Sequence, residues 1–253
     1  RDWKPEGHGM EDLNKAIVQS CDVYFYNLAN NLGIKNMSSF FKNFSFGSKT
    51  GIDMPFESSG VLPSDEWKKK NVGYKWTDGD TVITGIGQGY FLATPLQLAY
   101  ATSIIANRGL ISIPKLNKDI QKEKNKKILE KEEFFKNNLK PEDWEIITNA
   151  MFDVVNKQNG TAFWSIRDKK NKIAGKTGTV QVYSLSQETD ERDDENIPDH
   201  LKDHSLYVAF APIDEPQIVI ATVVENVGSG SKFAAPISNK IINYYLNKVK
   251  ERY

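Results

Sequence analysis

The sequence holds a single cysteine, Cys21, among its 253 residues. No disulfide can form within the chain, so that side chain is a buried thiol, a ligand or a reactive group. It also lacks a net charge, because 33 Lys and Arg balance 33 Asp and Glu. That balance removes the basic excess a nucleic-acid partner requires. No apolar run approaches the roughly 18–20 residues of a membrane helix, and the mean hydropathy is −0.51. No signal peptide and no internal repeat are visible, and the first residue is Arg1 rather than Met. We therefore expect a fragment of something longer. Core-forming residues are plentiful: 39% hydrophobic and 11% aromatic exclude wholesale disorder and suffice for one large domain or two small ones.

Apolar residues recur near a 3.6 period over 10–33 and are interrupted at Ser20 and Asp22, which fits one helix or, equally, two with a tight joint, with a cap at Gly33. A short helix is expected at 38–44, then a Gly-, Pro-, Ser- and Lys-rich loop over 47–81. Thr94-Pro95 reads as the N-cap and first position of a helix to about 106. Residues 117–138 show no apolar period and read as a solvated linker; a helix follows over 141–157, with Glu142 and Asp143 in its first turn. Three stretches rich in Val, Ile, Thr, Tyr and Phe, at 172–183, 205–212 and 217–225, read as strands. Asp214-Glu215-Pro216 marks a hairpin between the last two. An acidic, mobile insertion is expected at 184–203 and an amphipathic helix at 234–251. The order is a mainly helical part over 1–171, then three antiparallel strands and a helix over 172–253, an α+β chain.

Two local patterns carry chemistry. Lys176-Thr177-Gly178-Thr179 on the first strand suits a carboxylate, since the ammonium supplies charge, a hydroxyl donates, and Gly178 lets a substrate backbone lie against the strand. An ordinary strand with a glycine bulge fits the same four residues. Ser20-Cys21-Asp22 places two short polar side chains on alternate positions at a helix joint, where each would need partners if buried. Plain helix capping by Ser20 or Asp22 also fits.

Together the two patterns resemble the penicillin-recognising serine transpeptidases and β-lactamases, whose signature joins a Ser-x-x-Lys, a Ser-x-Asn-type element and a Lys-Thr-Gly strand. The resemblance is closer to the elongation-specific class B transpeptidases, the penicillin-binding protein 2 family. It rests on Arg1-Asp2-Trp3-Lys4, Gly7-His8-Gly9, Thr50-Gly51-Ile52-Asp53, Gly85-Ile86-Gly87-Gln88-Gly89-Tyr90, Ala93-Thr94-Pro95, Asn159-Gly160-Thr161-Ala162, Asp203-His204 and Ala209-Phe210-Ala211-Pro212. Asp22, where the wider family has Asn, also fits that group. The resemblance implies the serine β-lactamase/transpeptidase fold, an antiparallel sheet flanked by helices, with the N-terminal part of the domain outside this chain.

It further implies a peptidoglycan D,D-transpeptidase acting in cell elongation. A serine absent from this chain would attack the D-Ala carbonyl of a stem peptide, and an amino group of a second strand would resolve the acyl-enzyme. Ser20 would relay a proton. Asp22 would accept a hydrogen bond from the substrate amide or orient Lys176. Lys176 and Thr177 would hold the terminal carboxylate beside Gly178, and the Thr179 N–H would complete an oxyanion hole. The Ser-x-x-Lys strings at Ser39/Lys42, Ser112/Lys115 and Ser229/Lys232 all follow Ser20, against the family order, and read as decoys. The fragment alone is expected to be inactive. Implied partners are stem peptides, β-lactams and elongation-complex membrane proteins including a glycosyltransferase, for a domain facing the periplasm from an inner-membrane anchor upstream. A non-catalytic penicillin-sensing or scaffold module, or a β-lactamase, are the competing readings.

Asp2, His8 and Cys21 offer oxygen, nitrogen and sulfur donors suited to tetrahedral zinc, whose structural sites take four protein ligands. A buried Cys beside a surface His fits the same spacing. Some relatives within the resembled family hold zinc with an Asp, Asp, His, Cys set, which implies a structural zinc here with a fourth ligand upstream. His200 and His204 are expected to be exposed, and the tryptophans at 67, 76, 144 and 164 to be packing anchors.

Overall fold

The computed structural model describes residues 2–119, 123–166, 170–182 and 198–249. The chain divides into two compact units, 1–150 and 151–253. The division falls before the change in composition at 171/172.

Unit 1 is helical: α1 (Leu13–Gln19), α2 (Asp22–Phe41), α3 (Asp65–Asn71), α4 (Asp78–Gly85), α5 (Pro95–Ala106), α6 (Lys126–Asn138) and the start of α7 (Pro141–Asn156). Gly33 takes φ 73° and ψ 156° inside α2, so the expected break is real, but a second helical stretch resumes beyond it, earlier than position 38. A core runs through the later helices. Phe44, Tyr100, Ile104, Ile111, Phe135 and Trp144 bury one another there, with the Phe135 and Trp144 rings 5.6 Å apart. Thr94 and Gln97 form a reciprocal capping box, with Pro95 at the first helical position.

Two expectations for unit 1 are corrected. The supposed linker 117–138 contains α6, started by the Asn125 side chain accepting from the Ile128 N–H. Ile128 and Phe135, one heptad apart, are its buried anchors, too few for a periodic signal. The supposed loop 47–81 contains α3 and the start of α4, capped by Ser64 and by a Thr77/Asp80 box. Helices this short depend on caps and packing rather than on propensity. The Lys68 ammonium sits between Asp80 and the faces of Trp76 and Tyr90.

Unit 2 contains β1 (Ala174–Val180), β2 (His204–Ala211), β3 (Ile218–Val224) and α8 (Ala234–Tyr244), with a π-helical turn at Tyr245–Val249. The sheet order is β1-β2-β3 and both pairs are antiparallel, with Lys176 opposite Val208 and Thr177 opposite Tyr207. Among the described residues β1 is therefore an edge strand. Helix α8 packs on β2 and β3; Ser238 Oγ donates to Thr222 Oγ1 at 2.7 Å. Ile166, Ile173, Tyr207, Phe210 and Ile242 are fully buried. Of the expected insertion, 184–197 lies outside the described residues, as does 183 at the end of the expected first strand, and Asp199–Leu201 forms a 3-10 turn. Trp144 is buried, but Trp164 is 73% exposed and has only the neighbouring Phe163 ring against it among the described ring contacts.

Candidate functional site

In unit 1 the joint between α1 and α2 is built by a left-handed residue. Ser20 takes φ 56°, ψ 52°, a conformation that costs a non-glycine residue about 1–2 kcal/mol. It permits a Schellman closure, in which the Cys21 N–H donates to Ala16 O at 2.9 Å and the Ser20 N–H to Ile17 O at 3.3 Å. The Trp3 indole donates to Gln19 O and Ser20 O at 3.0 and 3.2 Å, covering the last carbonyls of α1. Cys21 then caps α2, and Asp22 lies in its first turn, where the helix dipole favours a carboxylate. Cys21 is buried while Ser20 and Asp22 on either side of it stay partly exposed, the alternation expected of a loop that shows two polar groups outward.

The inward side chain meets Asp2 and His8. One ligand atom from each of Asp2, His8 and Cys21 lies within 4.8 Å of the other two. The Asp2 and His8 side chains are 5% and 1% exposed, and Asp2 Oδ2 stands 3.2 Å from His8 Nδ1. That approach lacks the alignment of a hydrogen bond, for Asp2 Oδ2 and both His8 ring nitrogens are buried without a hydrogen-bond partner. Buried polar atoms are almost always satisfied, so the orphaned Asp2 oxygen and one orphaned His8 nitrogen, beside the Cys21 sulfur, fit a cation held between them. Burial pushes the Asp2 carboxyl up, but the Lys4 N–H and the His8 ring outweigh it and hold it below its ordinary value. Burial and the adjacent Asp2 push the Cys21 thiol up against the pull of the Tyr24 amide.

In unit 2 the strand β1 carries Lys176, Thr177, Gly178 and Thr179 toward its exposed end. Lys176 Nζ donates to Thr177 O at 3.0 Å. The Thr177 and Thr161 hydroxyl oxygens are 2.7 Å apart, a hydrogen bond in which either hydroxyl can donate. Thr161 reaches Thr177 from the turn after α7. There the Ala162 N–H donates to Val154 O at 3.1 Å, and a Cβ on Gly160 would stand 2.3 Å from the same carbonyl. No role for Thr161 was read from the sequence, although Asn159-Gly160-Thr161-Ala162 was among the matching stretches; a hydroxyl sixteen residues from its partner leaves no periodic trace. Gly178 has little room either, since its Cβ would lie 3.2 Å from Leu206 Cδ2. Gly230 packs so closely that its own Cβ would lie 2.2 Å from Gly178 O.

The structure thus gathers Asp2, His8 and Cys21, with Ser20 and Asp22 flanking, in unit 1, and Lys176 to Thr179 with Thr161 in unit 2. Ser39 and Lys42 are exposed, Ser112 is in extended chain and Ser229 in a loop. His200 is exposed as expected, whereas His204 lies on β2 and its Nδ1 accepts from the Asn226 N–H at 3.0 Å.

A family model of the penicillin binding protein transpeptidase domain matches residues 1–243. The chain belongs to that family. It is 43% identical to the peptidoglycan D,D-transpeptidase MrdA of Haemophilus influenzae, over 98% of this chain and 38% of that protein. Among solved structures it is similar to penicillin-binding protein 2 of Helicobacter pylori in complex with MreC, at 34% identity and TM-score 0.83, covering 97% of this chain and 42% of that one. It is also similar to the Pseudomonas aeruginosa penicillin-binding protein 2 in complex with WCK 5153, at 36% identity and TM-score 0.82, over 98% of this chain and 52% of that one. The α+β transpeptidase fold is therefore that of the chain, which spans less than half the length of the H. influenzae relative. No helix among the described residues of this transpeptidase-family chain is long and apolar enough to cross a membrane.

Proposed function

We propose that the protein bearing this chain is a serine-type peptidoglycan D,D-transpeptidase that cross-links stem peptides through an acyl-enzyme and is acylated by β-lactams. The observation that carries the reading is the edge strand β1 offering Lys176-Thr177-Gly178-Thr179, with the Thr177 hydroxyl hydrogen-bonded to Thr161. An edge strand takes an extended peptide by adding it to the sheet. Lys176 then supplies the charge for a terminal carboxylate and Thr177 a hydrogen bond to it. The Thr179 N–H is assigned to the oxyanion hole, Ser20 to proton relay and Asp22 to accepting from the substrate amide. The nucleophilic serine and its lysine belong, on this reading, to the part of the protein this chain does not span, so the chain by itself is inactive.

The test uses the complete protein and a fluorescent penicillin, with the adduct located by mass spectrometry. The proposal expects a long-lived adduct on a serine outside this chain, formed more slowly in Lys176→Ala and Ser20→Ala. Rapid release would mark a β-lactamase, and no adduct a scaffold.

We also propose that Asp2, His8 and Cys21 hold a structural zinc, with a fourth ligand outside the chain. The orphaned atoms of Asp2 and His8 and the buried sulfur support it. Such an ion would pin the Ser20–Asp22 joint from beneath. Partners are proposed by likeness to the H. pylori protein, whose structure is a complex with MreC: membrane proteins of a cell-elongation complex, including a glycosyltransferase. The proposed location is the periplasmic face of the inner membrane, through an anchor outside this chain.

A further inference from the structure

A cleft of about 760 Å³ in unit 1 has no part in either cluster described above. Its volume is that of small-molecule sites, which combine an apolar wall with a few fixed polar groups. Phe46, Trp67 and Phe134 supply aromatic surface, and three ammonium groups, of Lys42, Lys127 and Lys131, line the cleft with the single carboxylate of Glu130. Glu130 lies 3.9 Å from Lys126.

Lys131 is the distinctive member. It is half-buried on α6, and its Nζ donates to Ser45 Oγ at 2.8 Å. Ser45 is itself buried, in a left-handed conformation with φ 68°, so that hydroxyl is a fixed floor and not a mobile surface group. Among the described residues no carboxylate pairs with the Lys131 ammonium, and the charge it senses is that of Lys127. Burial and that neighbour lower its pKa to about 8. A cation taken partly out of water with a like charge beside it is unfavourable unless an anion joins it.

We propose that this cleft binds an organic oxyanion, a carboxylate or phosphate joined to a flat apolar group. The Lys131 ammonium is its charge partner, Lys127 and Lys42 add to the field, and Phe46, Trp67 and Phe134 hold the apolar part. Charge-assisted hydrogen bonds to an oxyanion are the strong class, and aromatic side chains stack on flat groups.

The test titrates phenyl phosphate into the full chain, followed by NMR. The proposal expects one saturable site with shifts at Lys131, Phe46 and Trp67. Inorganic phosphate, without the ring, and phenol, without the charge, should each bind about tenfold more weakly. Phenylacetate separates the two oxyanions: tighter binding than phenyl phosphate assigns a carboxylate, weaker binding a phosphate. Lys131→Met should weaken phenyl phosphate about tenfold or more, while Lys35→Met, exposed on α2, should leave it unchanged. Lys127→Met, on the exposed side of α6, should weaken it about two- to fivefold and serves if Lys131→Met does not fold. Absence of saturable binding, equal affinity for phenyl phosphate and phenol, or affinity untouched by both lysine variants would overturn the proposal.

Discussion

Replacing His8 by Ala should cost far more stability with zinc than without it. In the metal-free chain Asp2 Oδ2, His8 Nδ1 and His8 Nε2 are buried without hydrogen-bond partners, and each such atom costs about 1–3 kcal/mol. His8→Ala removes two of the three, at the expense of the His8 ring's contact with Trp3, whose centroid lies 5.4 Å away, and of its attraction for the buried Asp2 carboxylate 3.2 Å away. These effects oppose one another, so the metal-free variant is expected to stay close to the parent in stability. With zinc at a hundred times its dissociation constant the parent gains about 2.7 kcal/mol, worth about 5–11 °C in Tm at this chain length. The variant has lost a ligand and gains little of that. Scanning calorimetry of both chains, in chelator and in zinc-supplemented buffer, reads all four values. A parent Tm unmoved by zinc, or an equal zinc-dependent rise in His8→Ala, would refute the reasoning.

Further outcomes follow from other buried groups. Gln97 Nε2 donates to the carbonyls of Ser45, Ser48 and Ser59 at 3.1, 2.9 and 2.8 Å; Ser45 O also accepts from the Ser48 N–H and hydroxyl, so Gln97→Leu takes the side-chain donor from Ser48 O and Ser59 O and should cost about 2–4 kcal/mol in urea unfolding. Lys131 has a pKa of about 8 in the fold against 10.5 for an ordinary lysine. Between those values the unfolded chain binds more protons at this lysine, so its own contribution to stability should rise from about pH 8 to 10.5, by about 1 kcal/mol after allowing for its partial exposure, read as the difference between the parent and Lys131→Met. Tyr207 is fully buried and its hydroxyl has no partner, so Tyr207→Phe should leave stability unchanged or raise it by up to about 1 kcal/mol. In the complete protein, Thr161→Val should slow β-lactam acylation about tenfold by releasing the Thr177 hydroxyl, and Thr161→Ser should restore most of the rate.

The parts of the fold visible in the sequence are those where local chemistry and tertiary packing agree. Thr94-Pro95 starts α5 because a capping hydroxyl and a preset φ need no distant partner. β-Branched residues mark β1 and β3, Tyr207, Val208 and Phe210 mark β2, and Asp214-Glu215-Pro216 turns the chain between β2 and β3 where the turn residues demand it. Helix α6 was hidden because a surface helix anchored by Ile128 and Phe135 alone reads as a charged linker. Ser64 and Thr77 were legible as caps in principle, and the surrounding Gly, Pro and Lys obscured them. In the site, Ser20-Cys21-Asp22 and Lys176-Thr177-Gly178 could be read locally and through the resemblance. Thr161 and the orphaned atoms of Asp2 and His8 could not, because they exist only once distant segments meet.

The most direct measurement supplies the complete protein with a pentapeptide donor and an amine acceptor, and quantifies released D-Ala against new amide product. The account predicts about one D-Ala per cross-link, with both falling together in Lys176→Ala and both abolished by prior treatment with penicillin. D-Ala release and cross-linking that persist unchanged in Lys176→Ala, or a folded protein that forms neither product, would contradict it.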